Sequence, residues 1–398
     1  MNDMENRLAE LLKAAVEDPP DNRVTVAAVR HKWARRQIAA AAGAVTAIAV
    51  LGVASVGLIR GLAGPPPAGP TLPAGVPRYY AEEAHSNGQQ YRTVVRATAT
   101  GTVTATIRCP LPHAAPLIGP IAADKYQRFF MVCYAERHHV LTDARIYQFR
   151  VTNTGKARGY APVRGGDLGA VYAGRTLAVS PDGSQIAVAV SPLKGRGEDT
   201  ALARIVVINT RTGARATWRN TPAAPGGTTF FILDISFSAS GRQLVFLGTR
   251  TCGPAGNHLH CPHSDQQVRA LAPASSGGLL NAGQILLRRT GPRSSTISDA
   301  VISSDGSTLT IVSQSSPRGP HPSTLTVSQI LLATRTQHVI YHVKGTSGIP
   351  PLGFFSPDYS GRHFLISTSG LYSPPATGWI NHGRLVKLKP SNTVYEAW

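Results

Sequence analysis

The sequence predicts an all-β domain built from a repeated four-stranded unit, preceded by one membrane-crossing helix and a short helical tail. Three observations predict it. Ile38 to Ile59 is a run of twenty-two residues without a charge. A strand-turn-strand pattern then recurs through the chain, with glycines at Gly183, Gly241, Gly306 and Gly361. Between its copies stands a second hairpin type, turning at Gly101, Gly155 and Gly213.

The apolar run mixes eight Ala and three Gly with Ile, Val and Leu. At about 1.5 Å per residue it reaches roughly 33 Å as a helix, enough for a hydrocarbon core of about 30 Å. A cleaved signal peptide fits poorly, because the apolar core is too long and a long segment precedes it. A buried helix of a soluble domain fits poorly too, since the Pro-rich run that follows offers no packing partner. Arg30, His31, Lys32, Arg35 and Arg36 stand before the run and only Arg60 stands close after it, which places the N-terminus in the cytoplasm. The expected organisation is a cytoplasmic helical tail over 1–37, the span over 38–59, a Pro-rich extracellular linker over 60–78 and the β domain over 79–398. Ala39, Gly43 and Ala47 align small residues on one face, a spacing that permits weak pairing of two spans.

In the tail, Leu8, Leu11, Leu12, Ala15 and Val16 recur at helical spacing and Pro19 and Pro20 end the helix. Trp33 sits where an interfacial anchor belongs. The linker carries Pro65, Pro66, Pro67, Pro70, Pro73 and Pro77 and is expected to be an extended spacer.

The repeated hairpin is clearest in Leu177 to Val190, where two alternating strands flank Ser180-Pro181-Asp182-Gly183. Pro fixes a turn φ, Asp hydrogen-bonds back to the backbone and Gly accepts φ > 0. The design returns in Ile235 to Leu247, in Val301 to Val312 with Asp305 and Gly306, and in Gly353 to Ile366 with Asp358 and Gly361. The four glycines lie 58, 65 and 55 residues apart. A weaker copy without the glycine runs from Ile121 to Cys133. The second hairpin type occupies Val94 to Ile107, Ile146 to Val163 and Ile205 to Trp218. Degraded copies are expected around Gly277, Arg335 and Gly383. Two hairpins per repeat give four strands, as a propeller blade requires.

The SPDG-type units resemble the WD40-like repeats of TolB-type β-propellers. The whole layout resembles single-pass actinobacterial membrane proteins that carry such a propeller outside. Six hairpins of the second type imply six blades, with seven blades or two small sandwiches as alternatives. The first blade lacks a clear outer hairpin, so Tyr79-Tyr80 or the tail Thr393 to Trp398 must complete it. A Trp-Asp blade signature is absent, and the resemblance brings no catalytic residue to carry over.

The chain has a formal charge of +19. Beyond residue 36 stand thirty-three Lys and Arg against fifteen Asp and Glu, a net of +18. Outside a cell the available polyanions are lipid head groups and acidic wall polymers rather than nucleic acid. Arg288, Arg289 and Arg293, clustered after a predicted strand, are the candidate basic patch. All four cysteines lie beyond the span, where disulfides persist. The economical pairing is Cys252 with Cys261, around the loop Gly253 to His260, leaving Cys109 with Cys133. The run Cys252, His258, His260, Cys261 and His263 has the residue types of a zinc site, but adjacent His260 and Cys261 point apart on most backbones.

No nucleophile elbow, zinc-protease, phosphate-loop or dinucleotide motif occurs, and no cofactor, metal or catalytic residue is expected. Glu136, His138, His139 and Asp143 read as an inter-strand loop, as do Gly195, Gly197, Glu198 and Asp199, which lack the alternating oxygen spacing of a calcium loop. Three functions remain: a membrane-anchored module binding a protein, a peptide or an anionic envelope polymer; a transmembrane, anti-sigma-like sensor acting through the tail; and an extracytoplasmic hydrolase. Converging carboxylates in the propeller channel would favour the last.

Overall fold

A computed structural model describes residues 72–86, 89–111, 114–137, 140–194, 197–198, 203–220, 229–251, 263–279, 282–292, 295–315, 323–344, 352–358, 363–369, 376–381, 384–387 and 396–397. All of them belong to the compact unit Pro67–Trp398. The expected tail and span, residues 1–59, lie outside the described residues. No helix among the described residues is long and apolar enough to cross a membrane.

The described chain is all-β. Its strands run β1 (Tyr79–Ser86), β2 (Gln89–Ala97), β3 (Val103–Ile107), β4 (Ala114–Ala123), β5 (Arg128–Arg137), β6 (Val140–Val151) and β7 (Ala157–Gly169). They continue through β8 (Val171–Val179), β9 (Gln185–Lys194), β10 (Gly197–Glu198), β11 (Arg204–Asn209), β12 (Arg215–Arg219), β13 (Thr229–Phe237), β14 (Leu244–Thr251), β15 (His263–Leu271), β16 (Gly277–Gly278) and β17 (Gln284–Pro292). The last are β18 (Ser295–Ile302), β19 (Thr308–Ser315), β20 (Thr324–Leu331), β21 (Gln337–Lys344), β22 (Leu352–Pro357), β23 (Phe364–Ser369), β24 (Ala376–Asn381), β25 (Arg384–Lys387) and β26 (Glu396–Ala397).

These strands form antiparallel sheets in the orders β26-β1-β2-β3, β4-β5-β6-β7, β8-β9-β11-β12, β13-β14-β15-β17, β18-β19-β20-β21 and β22-β23-β24-β25. The third is widened by β10 and β16. Strand β4 lies beside β8, β8 beside β13, β13 beside β18, β18 beside β22, β22 beside β26, and β26 beside β4. A ring of first strands with a sheet running outward from each is a β-propeller. Both sequence candidates complete the first sheet: Tyr79 and Tyr80 lie in β1, and the tail supplies β26, with Ala81 opposite Ala397 and Glu82 opposite Glu396.

The alternating apolar pattern is explained by burial of both faces of each sheet. On β9, Ile186, Val188 and Val190 pack toward the second sheet, while Ala187 and Ala189 pack toward the fourth. On β14, Leu244 and Phe246 face back and Val245 and Leu247 face forward. Each such side chain contributes about 1.5–3 kcal/mol relative to exposure. The seam between the last and first sheets is thinner, with Tyr80, Leu365 and Val76 buried together and Leu72 packed against them. The end of the expected linker is therefore not a free spacer, because Leu72 and Val76 fill this seam.

The first strand of each sheet has an exposed ladder edge, and side chains of the preceding sheet cover it in two places. Tyr134 Oη donates to the Ala173 carbonyl at 2.7 Å and accepts from its N–H at 3.1 Å. On β18, Gln266 bonds both backbone groups of Ile297, at 2.7 and 2.8 Å. The Ala300 N–H donates to Asp234 Oδ2 at 3.1 Å, and Ser236 Oγ donates to the Ala300 carbonyl at 2.7 Å. Each bond contributes about 1 kcal/mol net, and leaving such a buried group unmade costs about 1–3 kcal/mol.

The repeated turns form as the sequence predicts. Asp182 Oδ1 accepts from Ser180 Oγ at 2.7 Å and from the Ser184 N–H at 3.0 Å; these bonds lower its carboxyl against the opposing effect of partial burial. Asp305 repeats the arrangement with Ser303 and Ser307, and those bonds hold its carboxyl at about 2. Asp358 accepts from the His363 N–H at 3.3 Å, with His363 Nδ1 at 2.8 Å from its other oxygen; Gly361 lies outside the described residues. Gly183, Gly241 and Gly306 have φ of 66°, 71° and 73°. Gly183 is doubly constrained: a Cβ there would stand 1.8 Å from Arg128 Nη2 and 2.3 Å from Asp124 Oδ2. Arg128 uses that space to reach the Gly183 carbonyl at 2.9 Å while paired with Asp124 at 2.9 Å, so one sheet's turn is fastened to the next.

All three degraded outer hairpins form, and in one the turn lies away from its expected glycine. Arg335 takes the turn position at φ 60° and its guanidinium donates to the Leu286 carbonyl of the preceding sheet. Strands β24 and β25 pair on either side of Gly383, itself outside the described residues. Gly277 does not turn a hairpin. It lies in β16, parallel to β12 of the neighbouring sheet, and the return into β17 is made at Gly283, φ 68°, where a Cβ would stand 1.9 Å from the Ala270 carbonyl oxygen.

Gly183→Val is expected to destabilise the unit Pro67–Trp398 by about 2 kcal/mol or more, since it combines positive φ with a clash against a buried ion pair. Lys156→Ala, at an exposed turn, is the control. Indistinguishable melting temperatures for the two variants would count against the fastened-turn account.

Candidate functional site

The candidate basic patch lies within a strand, not after one: Arg288 and Arg289 are on β17, the outermost strand of its sheet, and Arg293 lies outside the described residues. Arg288 grips Asp265 of β15 with both Nε and Nη2, at 2.9 and 3.0 Å. That bond and the Asp265 charge raise the pKa of Arg288. Arg250 of β14 also approaches Asp265, at 3.9 Å. Burial, and then the like charge of Arg250, lower the pKa of Arg269 on β15. Two guanidiniums thus meet one carboxylate, and a third, Arg269, lies near it while bonded to Gln267 and the Ala282 carbonyl.

Arg289 points the other way, across the gap to the next sheet, where Nη1 donates to Ser313 Oγ at 3.3 Å. Between the two sheets lies a cleft of about 470 Å³. Its apolar floor is Leu287, Ile311 and Ile330, and its far wall carries Ser313, Ser315, Thr324, Thr326 and Gln337. Ser313 stands opposite Thr326 and Ser315 opposite Thr324 on paired strands, so the four hydroxyls form a square on one sheet face. Thr326 Oγ1 is 3.1 Å from His342 Nδ1, and Gln337 Nε2 donates to Ser328 Oγ at 3.0 Å. Arg335 ties the β20–β21 hairpin to Leu286 of β17 beside this opening. The arrangement can hold a small polar ligand with an acidic group, and its volume falls in the range of about 300–1,000 Å³ usual for such sites.

The sequence did not single out Asp265, Arg250 or the hydroxyl square. It also missed an acid pair at the inner ring. Asp234 on β13 and Asp299 on β18 each follow a register shift at the same place in neighbouring first strands. Each stands seven residues before its turn glycine, Gly241 or Gly306, so alignment of the repeats would have found them. Burial, and then the charge of Asp299, push the Asp234 carboxyl well above the usual carboxylate range. Asp299 Oδ2 accepts from Ser298 Oγ at 2.5 Å. Burial and the Asp299 charge both favour the neutral, protonated form of Asp234.

Cys109 and Cys133 come together as thiols in the apolar cluster between the first two sheets. Burial raises Cys133, and the hydrogen bond it gives lowers Cys109, so Cys109 ionises first. Cys252, Cys261 and the loop between them lie outside the described residues, as do His138 and His139. Gly197 and Glu198 form β10, turned back on β9. Among the described residues no group of three or more His, Cys, Asp or Glu is arranged to hold a metal ion.

No protein-family model matches the chain, and comparison with curated proteins gives no match. Solved structures similar to it include TolB from Acinetobacter baumannii, at 14% identity and a TM-score of 0.47, covering 80% of this chain and 66% of that one. Puromycin hydrolase is similar at 15% identity and 0.43, with 78% and 44% covered. The tricorn protease is similar at 14% and 0.39, with 79% and 30% covered. The chain thus spans less than two thirds of the TolB chain and less than half of each enzyme.

A raised Asp pKa means that folding takes up a proton the unfolded chain has released. Its contribution is full below the ordinary value of about 3.9 and is lost as pH rises through the folded value. Asp234→Asn keeps a carbonyl acceptor for Ala300 and removes the ionisation. Its melting temperature is expected to exceed that of the parent at pH 8 and to match it near pH 4. A gain that is equal at both pH values would refute the raised ionisation of Asp234.

Proposed function

We propose that this protein is a membrane-anchored binding module. In this reading residues 38–59 span the membrane, residues 1–37 are cytoplasmic, and the β-propeller, its six sheets counted as six blades, stands outside the cell. It engages an anionic envelope polymer, or an acidic face of a protein or peptide, without a cofactor. The observation that carries the reading is the group of Arg250, Arg269 and Arg288 near the single carboxylate of Asp265, with Arg289 turned into the adjoining polar cleft. An excess of positive charge there, in a chain with a net +18 beyond residue 36, favours an acidic ligand.

A second reading, an extracytoplasmic hydrolase, draws support from Asp234 and Asp299 on neighbouring first strands. A carboxyl kept protonated near a second carboxylate is a recurrent acid-base device. Asp234 and Ser236 are nevertheless engaged with the backbone of Ala300, a structural task that favours the binding reading.

Residues 67–398 are expected to be retained on anionic liposomes or acidic wall polymer at low salt and to elute as salt rises. The Debye length falls from about 10 Å at 0.1 M to about 3 Å at 1 M. Arg288→Glu with Arg289→Glu should shift elution to lower salt. Retention that is absent at low salt, or unchanged at 1 M, overturns the reading.

The proposed compartment makes a separate prediction. An alkaline phosphatase fused after residue 398 should be active and one fused at residue 30 inactive. In the same exported chain Cys109 and Cys133 should resist alkylation until reduced, because two thiols already in contact there would oxidise to a disulfide. Activity at residue 30 would reverse the orientation.

A further inference from the structure

The cleft between β17 and the β18–β21 sheet is more specific than a charged surface requires. An electrostatic footprint needs only exposed guanidiniums, whereas here one guanidinium is fixed in place by Ser313, at 3.3 Å, beside a square of hydroxyls. Across the paired strands those hydroxyls are separated by about 5 Å, and along each strand by about 7 Å, the scale of one sugar ring. Ser313 faces Thr326 and Ser315 faces Thr324, so the square is set by strand register and is not subject to loop motion.

The chemistry divides into three zones. Arg289 offers a planar guanidinium suited to a carboxylate. The hydroxyl square, with Gln337, offers donors and acceptors in equal measure, which suits ligand hydroxyls that are themselves both. Leu287, Ile311 and Ile330 form an apolar floor that suits the C–H face of a pyranose ring. A bare phosphate polymer would use the first zone and leave the hydroxyls and the floor unmatched.

We propose that this cleft binds a carboxylated sugar residue of an acidic polysaccharide, with the carboxylate on Arg289 and the ring over Leu287 beside the hydroxyl square. The proposal rests on the binding-module reading and names its ligand class. The ring hydroxyls exchange bonds with Ser315, Thr324 and Thr326, and the imidazole of His342, 3.1 Å from Thr326 Oγ1, orients that hydroxyl.

The test uses the full chain in detergent micelles with three probes: oligogalacturonate, a neutral oligogalactan of equal length, and inorganic polyphosphate of equal charge. Calorimetric titration is expected to give at least tenfold tighter binding of oligogalacturonate than of either other probe. Thr326→Val, nearly isosteric, should weaken oligogalacturonate about tenfold and leave polyphosphate unchanged; Arg289→Gln should weaken both, and Arg289→Lys should restore part of the loss. If polyphosphate binds as well as oligogalacturonate and Thr326→Val changes neither, the sugar assignment is wrong and the charge-based reading stands. If neither anion binds, the binding-module reading itself fails.

Discussion

The structure depends on one constraint: every sheet must be covered on both faces, and the first strand of each must have its bare edge satisfied by a neighbour. An isolated four-stranded sheet would expose one apolar face and a row of unpaired backbone groups. Arranging the sheets around a ring removes both costs together. The side chains that cover the edges, Tyr134 for Ala173 and Gln266, Asp234 and Ser236 for Ile297 and Ala300, stand where first strands shift register, because a bulge is where ladder pairing fails. Asp234 is held in this role at the cost of an acid pair, which is the least expected residue choice in the inner ring.

A ring also has to be closed. Here it is closed by pairing the end of the chain, Glu396 and Ala397, with Ala81 and Glu82 near its start. The seam has little apolar surface of its own: Tyr80 and Leu365 are joined there by Val76 and Leu72, from just before the first strand. Loop-closure entropy makes such a long-range pairing costly to form, so added burial at the seam offsets part of that cost. The segment that leads from the proposed span is thus part of what holds the first and last sheets together.

Much of this was legible in the sequence. Period-two alternation and SPDG-type turns located both hairpin kinds, because turn chemistry is local: Asp182 and Asp305 need only their neighbouring Ser residues. Gly277 misled because the turn residue type was right but the strand it opens pairs with a different sheet, a tertiary preference that no local pattern carries. The acid pair and the arginine cluster were missed for the same reason. Arg250, Asp265 and Arg288 stand on three strands and meet only through register, and Asp234 acquires its shifted ionisation from burial and then from a carboxylate sixty-five residues away. A side-by-side alignment of the repeats would have exposed Asp234 and Asp299, since both keep one distance from the turn glycine.

The cleft lies where the repeat departs most from its own design. The outer hairpins of the fourth, fifth and sixth sheets lack a Thr-Gly turn, and two of them depart further: the fourth detours through β16 to pair with the sheet before it, and the fifth places Arg335 at φ 60°. A non-glycine residue in that conformation costs about 1–2 kcal/mol. Arg335 offsets part of this by donating to the Leu286 carbonyl, so the same residue that strains the turn also fixes the separation between β17 and its neighbour. Here the detour and the bridging arginine leave a polar gap with Arg289 on one side and paired hydroxyls on the other. Local departures from a consistent repeat tend to mark functional sites, and in this chain the strands that follow each departure, β17 and β21, line the same cleft.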